Sequence, residues 1–171
     1  MRKLLDTLYL WSGIAAGICL TSMALLILTQ IVARWFGVVI PSTEDFSGFL
    51  LAATSFLAMA YTLRSGGHIR VNLFISHITG PLRNFIEGTV LTLALLLICY
   101  AAWSTSLLAI ESYQFEEVSQ GYIPVPLWIP QVPMALGLVI LAIALMDEMV
   151  TLLRGGTPQY LRHDESASLS E

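Results

Sequence analysis

Four long apolar runs separated by short polar stretches set the pattern of this chain. The first extends from about Leu8 to Val32. It is longer than the roughly 7–15 residues of a signal-peptide core and is followed by no small-residue cleavage site, so it reads as a retained transmembrane helix near 8–34. Trp35 and Gly37 mark its exit. Before the second run stands Pro41-Ser42-Thr43-Glu44-Asp45, with side chains that suit an N-cap and negative charge that suits a helix N-terminus. The helix predicted there, at 46–63, is about 18 residues long, just enough to cross. A third is predicted at 82–110, since no proline interrupts the chain between Leu82 and Tyr122. Ahead of the fourth, at 130–153, Pro124, Pro126, Pro130 and Pro133 favour an extended approach, with the last two tolerable only in the first turns or at a kink.

Between the second and third runs lies a polar turn, Arg64-Ser65-Gly66-Gly67-His68-Ile69-Arg70, whose paired glycines suit the left-handed end of a helix. After it, Val71, Phe74, Ile75 and Ile78 recur at the i, i+3, i+4, i+7 spacing of one helical face. This predicts a short amphipathic helix lying at a membrane surface or against a partner, closed by Gly80-Pro81. The expected fold is thus an all-α integral membrane protein: four transmembrane helices with an interfacial helix between the second and third. Its membrane domain covers 1–155, and 156–171 form a polar cytoplasmic tail.

Composition agrees, with 56% hydrophobic and only 12% charged residues against about 25% charged in soluble domains. The formal charge of −4 gives no reason to expect nucleic acid as a partner. Cys19 and Cys99 both fall inside apolar runs and read as small buried hydrophobes rather than a disulfide or metal pair. Where the basic residues fall matters more than their number. Arg2, Lys3, Arg64, Arg70, Arg83, Arg154 and Arg162 belong to the N-terminus, the central turn and the C-terminus, which share one side in a four-helix chain. Arg34 alone joins Glu44, Asp45, Glu111, Glu116 and Glu117 on the other, so the positive-inside rule places both termini in the cytoplasm. Trp11, Trp35 and Trp128 suit interfacial belts.

The runs carry little that does chemistry. Haem anchoring needs histidines on facing helices within the bilayer, and His68, His77 and His163 lie in the turn or the tail. Asp147 and Glu148 stand near the end of the fourth run, where they read as solvated or partner-paired charges or as intramembrane functional acids. No nucleophile triad, phosphate loop or metal-ligand spacing appears, and no enzyme activity or cofactor is expected. Gly13 and Gly17, four apart, suit a strip where a second helix backbone approaches closely. Such helices offer faces to a partner, as in an accessory subunit of a transporter. The alternative is a membrane anchor subunit of a redox or enzyme complex.

Ser42-Thr43-Glu44-Asp45, the stretch Ala58 to Leu73 through the turn, and Ile123-Pro124-Val125-Pro126-Leu127-Trp128-Ile129-Pro130-Gln131 resemble the small membrane subunit of tripartite ATP-independent periplasmic (TRAP) transporters. The likeness extends over about residues 1–155 in order and spacing. It implies two protein partners, a large permease subunit and a periplasmic substrate-binding protein, besides membrane lipid. It also implies sodium-driven uptake of an organic acid through the bacterial inner membrane, with this chain as a brace for the large subunit. On that resemblance Glu44, Asp45, Arg64, His68, Arg70, Trp128 and Gln131 are the candidate partner-interface residues. Capping for Glu44 and Asp45, solvation or lipid phosphate for His68 and Arg70, and belt placement for Trp128 are the competing uses.

Overall fold

The computed structural model describes residues 2–65 and 81–153. They form four helices: α1 (Arg2–Trp35), α2 (Thr43–Arg64), α3 (Pro81–Gln114) and α4 (Trp128–Leu153). All four contain stretches long and apolar enough to cross a membrane. The interfacial helix expected at Val71–Ile78 and the tail at 156–171 lie outside the described residues, as do His68 and Arg70.

The helices are arranged as a row rather than a square. α1 packs on α2, α2 on α4 and α4 on α3, while α1 meets α4 only slightly. The flanking helices are the long ones, 34 residues each against 22 and 26 for the inner pair. At 1.5 Å per residue α1 and α3 reach about 50 Å, well beyond a hydrocarbon core of about 30 Å.

Lipid offers apolar side chains no incentive to leave it, so association here rests on close packing and hydrogen bonds. Small residues provide the first. A Cβ on Gly13 would come within 2.9 Å of Tyr61 Cγ, so this glycine lets α1 and α2 meet. Gly17, expected to extend that strip, has nothing within 4 Å of an added Cβ. Although it lies only about 40° further round α1, it makes no close contact with α2 among the described residues. The tightest approach is one that glycine spacing did not signal. At Gly137 a Cβ would lie 2.5 Å from the backbone carbonyl of Phe56, so α4 and α2 touch main chain to main chain. Hydrogen bonds add to this on the other side of α2: Ser12 donates to the Leu57 carbonyl, and Thr54 to that of Ala16 at 3.4 Å. Near one end of the row Tyr9, Ala60, Leu63, Leu91, Leu141, Ala144 and Leu145 join all four helices in one buried cluster.

The helix ends show which local rules apply. At the end of α1 the Val38 amide bonds the Ala33 carbonyl at 3.0 Å, and Gly37 takes φ 75° between them. This is a Schellman closure with glycine in its usual place. α3 closes the same way, with Glu117 N–H on the Ser112 carbonyl at 3.0 Å, but Glu116 occupies the left-handed position at φ 50°. The capping expected before α2 is not made. Ser42 has φ 57° and its side chain caps nothing, while the Thr43 hydroxyl bonds back to the Ile40 carbonyl at 3.0 Å. Pro130 needs no amide in the first turn of α4, and Pro133 leaves the Ile129 carbonyl without the donor a regular helix would give it.

Candidate functional site

Each end of the row gathers polar groups, and the two ends use them differently. At the end holding the N-terminus of α1, the last residue of α2 is Arg64. Its guanidinium bonds Asp147 of α4 at 3.0 Å and Asp6 of α1, and lies 5.3 Å from the centroid of the Tyr9 ring. One side chain thereby ties three helices together. The planar fork of arginine suits this, since it engages two carboxylates while its face rests on an aromatic ring. Helix direction contributes as well, because a cation at the C-terminus of α2 meets the negative end of its dipole.

The same arrangement revises the reading of the acids in α4. Asp147 is paired within the chain rather than solvated, and Glu148 is buried. Arg64, a candidate for a partner interface, has its charge engaged inside the bundle. Tyr9 is 1% exposed, and its hydroxyl has no hydrogen-bond partner among the described residues. Sequence reasoning passed over both Asp6 and Tyr9. An acid in the first turns of α1, an arginine ending α2 and an acid near the end of α4 all fall at one membrane face, and that coincidence of opposite charges was the available signal.

At the other end, residues 115–127 fold into a compact hairpin-like loop, in which the extended approach expected through Pro124 and Pro126 pairs back on the chain. Val118 and Pro126 form an isolated antiparallel bridge, flanked by Ser119 N–H on the Val125 carbonyl at 2.8 Å and Leu127 N–H on the Glu117 carbonyl at 2.9 Å. Pro126 sits where the ladder asks for no amide donor, so its missing N–H costs nothing. The fully buried Ser112 hydroxyl donates to Glu117 Oε2 at 2.7 Å and holds the start of the loop on α3.

The loop in turn closes over the start of α2. The Ile123 amide donates to Ser42 Oγ at 2.8 Å, which is why that hydroxyl is not capping its own helix. A Cβ on Gly121 would overlap the Asp45 carboxylate, with Cγ at 2.9 Å. Asp45 is half-buried in this contact and Glu44 is exposed. The Trp128 ring stands edge-on to Tyr113, centroids 5.8 Å apart, across the junction of α3 and α4. Gln131 is half-buried with its Oε1 unpaired among the described residues. The structure therefore brings Asp45, Trp128 and Gln131 to one end, places Arg64 at the opposite end, and leaves Glu44 facing outward. Of the cysteines, Cys19 is half-buried and Cys99 is exposed, which corrects the expectation that both are buried. Among the described residues no group of three His, Cys, Asp or Glu side chains is placed to hold a metal ion.

The family model for the DctQ component of tripartite ATP-independent periplasmic transporters matches residues 23–155, from the middle of α1 to just past α4. The chain belongs to the DctQ family. No curated relative matches it. As a DctQ component it is a small membrane subunit of a TRAP transporter, and its four apolar helices are membrane-crossing elements of that subunit. The loop clamp on α2 lies within the matched stretch, as do two of the three helices joined at Arg64.

Proposed function

We propose that this DctQ component braces the large permease subunit of a TRAP transporter during sodium-driven uptake of an organic acid delivered by a periplasmic binding protein. The observation that supports a bracing role is the Arg64 junction. Its guanidinium joins α1, α2 and α4 at one end of the row, while the loop from α3 is pinned on α2 at the other. A subunit tied at both ends resists shear between its helices, as a support for a moving neighbour must. The clustering of basic residues at the N-terminus, the central turn and the C-terminus supports an inner-membrane orientation with both termini in the cytoplasm. On that orientation the Arg64 junction faces the cytoplasm, and Glu44, Asp45, Trp128 and Gln131 lie toward the periplasmic side, where a binding protein would arrive.

The test is reconstitution of the large permease subunit in liposomes, with the binding protein supplied outside, in the presence and absence of this chain. Uptake of an organic acid down an imposed sodium gradient is expected only when the chain is present. Equal uptake in its absence would remove the bracing role.

A further inference from the structure

The outer face of α3 carries two exposed aromatic rings with polar tips, Tyr100 and Trp103, at the middle of its apolar span. Its apolar span, Gly88–Gln114, is 27 residues long and has Ala101 at its middle. Tyr100 and Trp103 therefore lie within about 3 Å of the span's midpoint along the helix axis. They are 73% and 68% exposed, and Ser104 is exposed beside them. At 100° per residue, positions 100, 103 and 104 fall on one face, in line with Leu93, Leu97 and Leu107.

Tyrosine and tryptophan favour the membrane–water interfaces, where the ring is apolar and the polar tip reaches water. At mid-depth an unpaired O–H or N–H faces hydrocarbon, which supplies no acceptor. Several hydroxyls in these spans avoid that cost through their own helix: Thr21, Thr29, Ser55, Thr92 and Ser106 each donate to the carbonyl four residues back, whereas Ser22, exposed near the middle of α1, has no such bond among the described residues. A phenol or an indole ends too far from the helix axis to do so. Neither Tyr100, Trp103 nor Ser104 has a hydrogen-bond partner among the described residues.

The exposed face of α4 carries no such groups. Its exposed stripe is Val132, Leu136, Val139, Ile143, Met146 and Val150, without one hydrogen-bonding side chain. That surface suits lipid tails as it stands. Among the described residues α3 is an outermost helix, with α4 as its one close neighbour, so that its face at 93–107 is not covered by another described helix.

We propose that the face of α3 around Tyr100, Trp103 and Ser104 is where a transmembrane helix of the large permease subunit docks, presenting hydrogen-bond acceptors at mid-membrane depth. This rests on the accessory-subunit reading above and adds to it the face and the chemistry of the contact. The partner helix offers backbone carbonyls freed at a kink or a polar side chain directed toward α3, and it covers the two rings.

Photo-crosslinking side chains placed singly at Tyr100, Trp103 and, as the control, Val139 test the contact in membranes holding this chain with its own large permease subunit. Crosslinks to the large subunit are expected from 100 and 103 and not from 139. Adducts from 100 and 103 to lipid alone, or to a second copy of this chain, overturn the proposal, as does crosslinking to the large subunit from 139 only. Separately, Tyr100→Phe with Trp103→Phe keeps the rings but removes two donors, and recovery of the large subunit on the tagged chain should fall roughly fivefold. Unchanged recovery would overturn the hydrogen-bonded contact. If the wild-type chain recovers no large subunit, the accessory-subunit reading itself falls. If it does recover the large subunit while 100 and 103 stay silent, only the docking face is wrong.

Discussion

Arg64 at the end of α2 and Asp147 near the end of α4 are joined at 3.0 Å, although 83 residues separate them in the chain. Both side chains are largely buried, with relative exposures of 15% and 22%, whereas Asp6, the second partner of Arg64, is half exposed. The two pairs therefore differ in worth. Removing Arg64 strands two carboxylates, one of them in a poorly solvated place, and Arg64→Ala should lower stability by about 2–3 kcal/mol. Asp6→Ala should cost under about 1 kcal/mol, as exposed pairs do. Thermal unfolding in detergent measures both, and equal effects would show that Asp147 has no special hold on the arginine.

The contact at Gly137 makes a sharper demand, because the neighbour is backbone and cannot swing aside. Gly137→Ala places a methyl against the Phe56 carbonyl and should destabilise by about 1–3 kcal/mol through separation of α2 and α4. The same assay reads it. A wild-type melting temperature would mean that the two helices slide apart without loss.

A third outcome follows from the end of α3. Glu116 holds φ 50°, a region that costs a residue with a Cβ about 1 kcal/mol. Glu116→Gly should raise stability by about that amount while leaving the Ser112–Glu117 bond in place. No gain would imply that the Glu116 side chain contributes as much as its backbone costs.

These positions show what was legible in the sequence and what was not. Helix number and type came from four apolar runs, a signal that depends only on local composition. The Gly37 closure of α1 could likewise be read locally, since glycine is the residue that conformation favours. Glu116 gave no such signal, because the left-handed position at the end of α3 is held by a loop that also grips α2. Ser42 looked like a cap by type and position, yet its hydroxyl is taken by Ile123, 81 residues away. The row order and the three-helix junction depend on which helices are neighbours, and an isolated apolar run does not state that. Asp6, Arg64 and Asp147 were each visible as charges at a span end; their convergence was not. Gly137, a lone glycine in an apolar run, is indistinguishable by composition from Gly17, although one touches backbone and the other touches nothing.

Orientation has its own measurement. Because basic residues gather at both termini and the central turn, reporters fused after Gly67 and after Leu161 should report cytoplasm, and one fused after Gly121 should report periplasm. A reversed result at any of the three fusions would invert the assignment of the Arg64 junction to the cytoplasmic side.

The two glycines of α1 separate packing within the subunit from packing against its neighbour. At Gly13 an added Cβ meets Tyr61 close to its own backbone, so Gly13→Leu has to push α1 from α2 and disturb the Ser12 and Thr54 hydrogen bonds on either side. A loss of about 1–2 kcal/mol is expected, the scale of interhelical contacts in membranes. Gly17→Leu adds a side chain into open space and should leave the unfolding transition of the isolated chain unchanged. Since the proposed contact with the large subunit lies on α3, which α2 and α4 separate from α1, recovery of that subunit on the tagged Gly17→Leu chain should also match wild type. Normal stability with diminished recovery would instead reveal a second contact surface, running along α1 one turn beyond the contact with Tyr61.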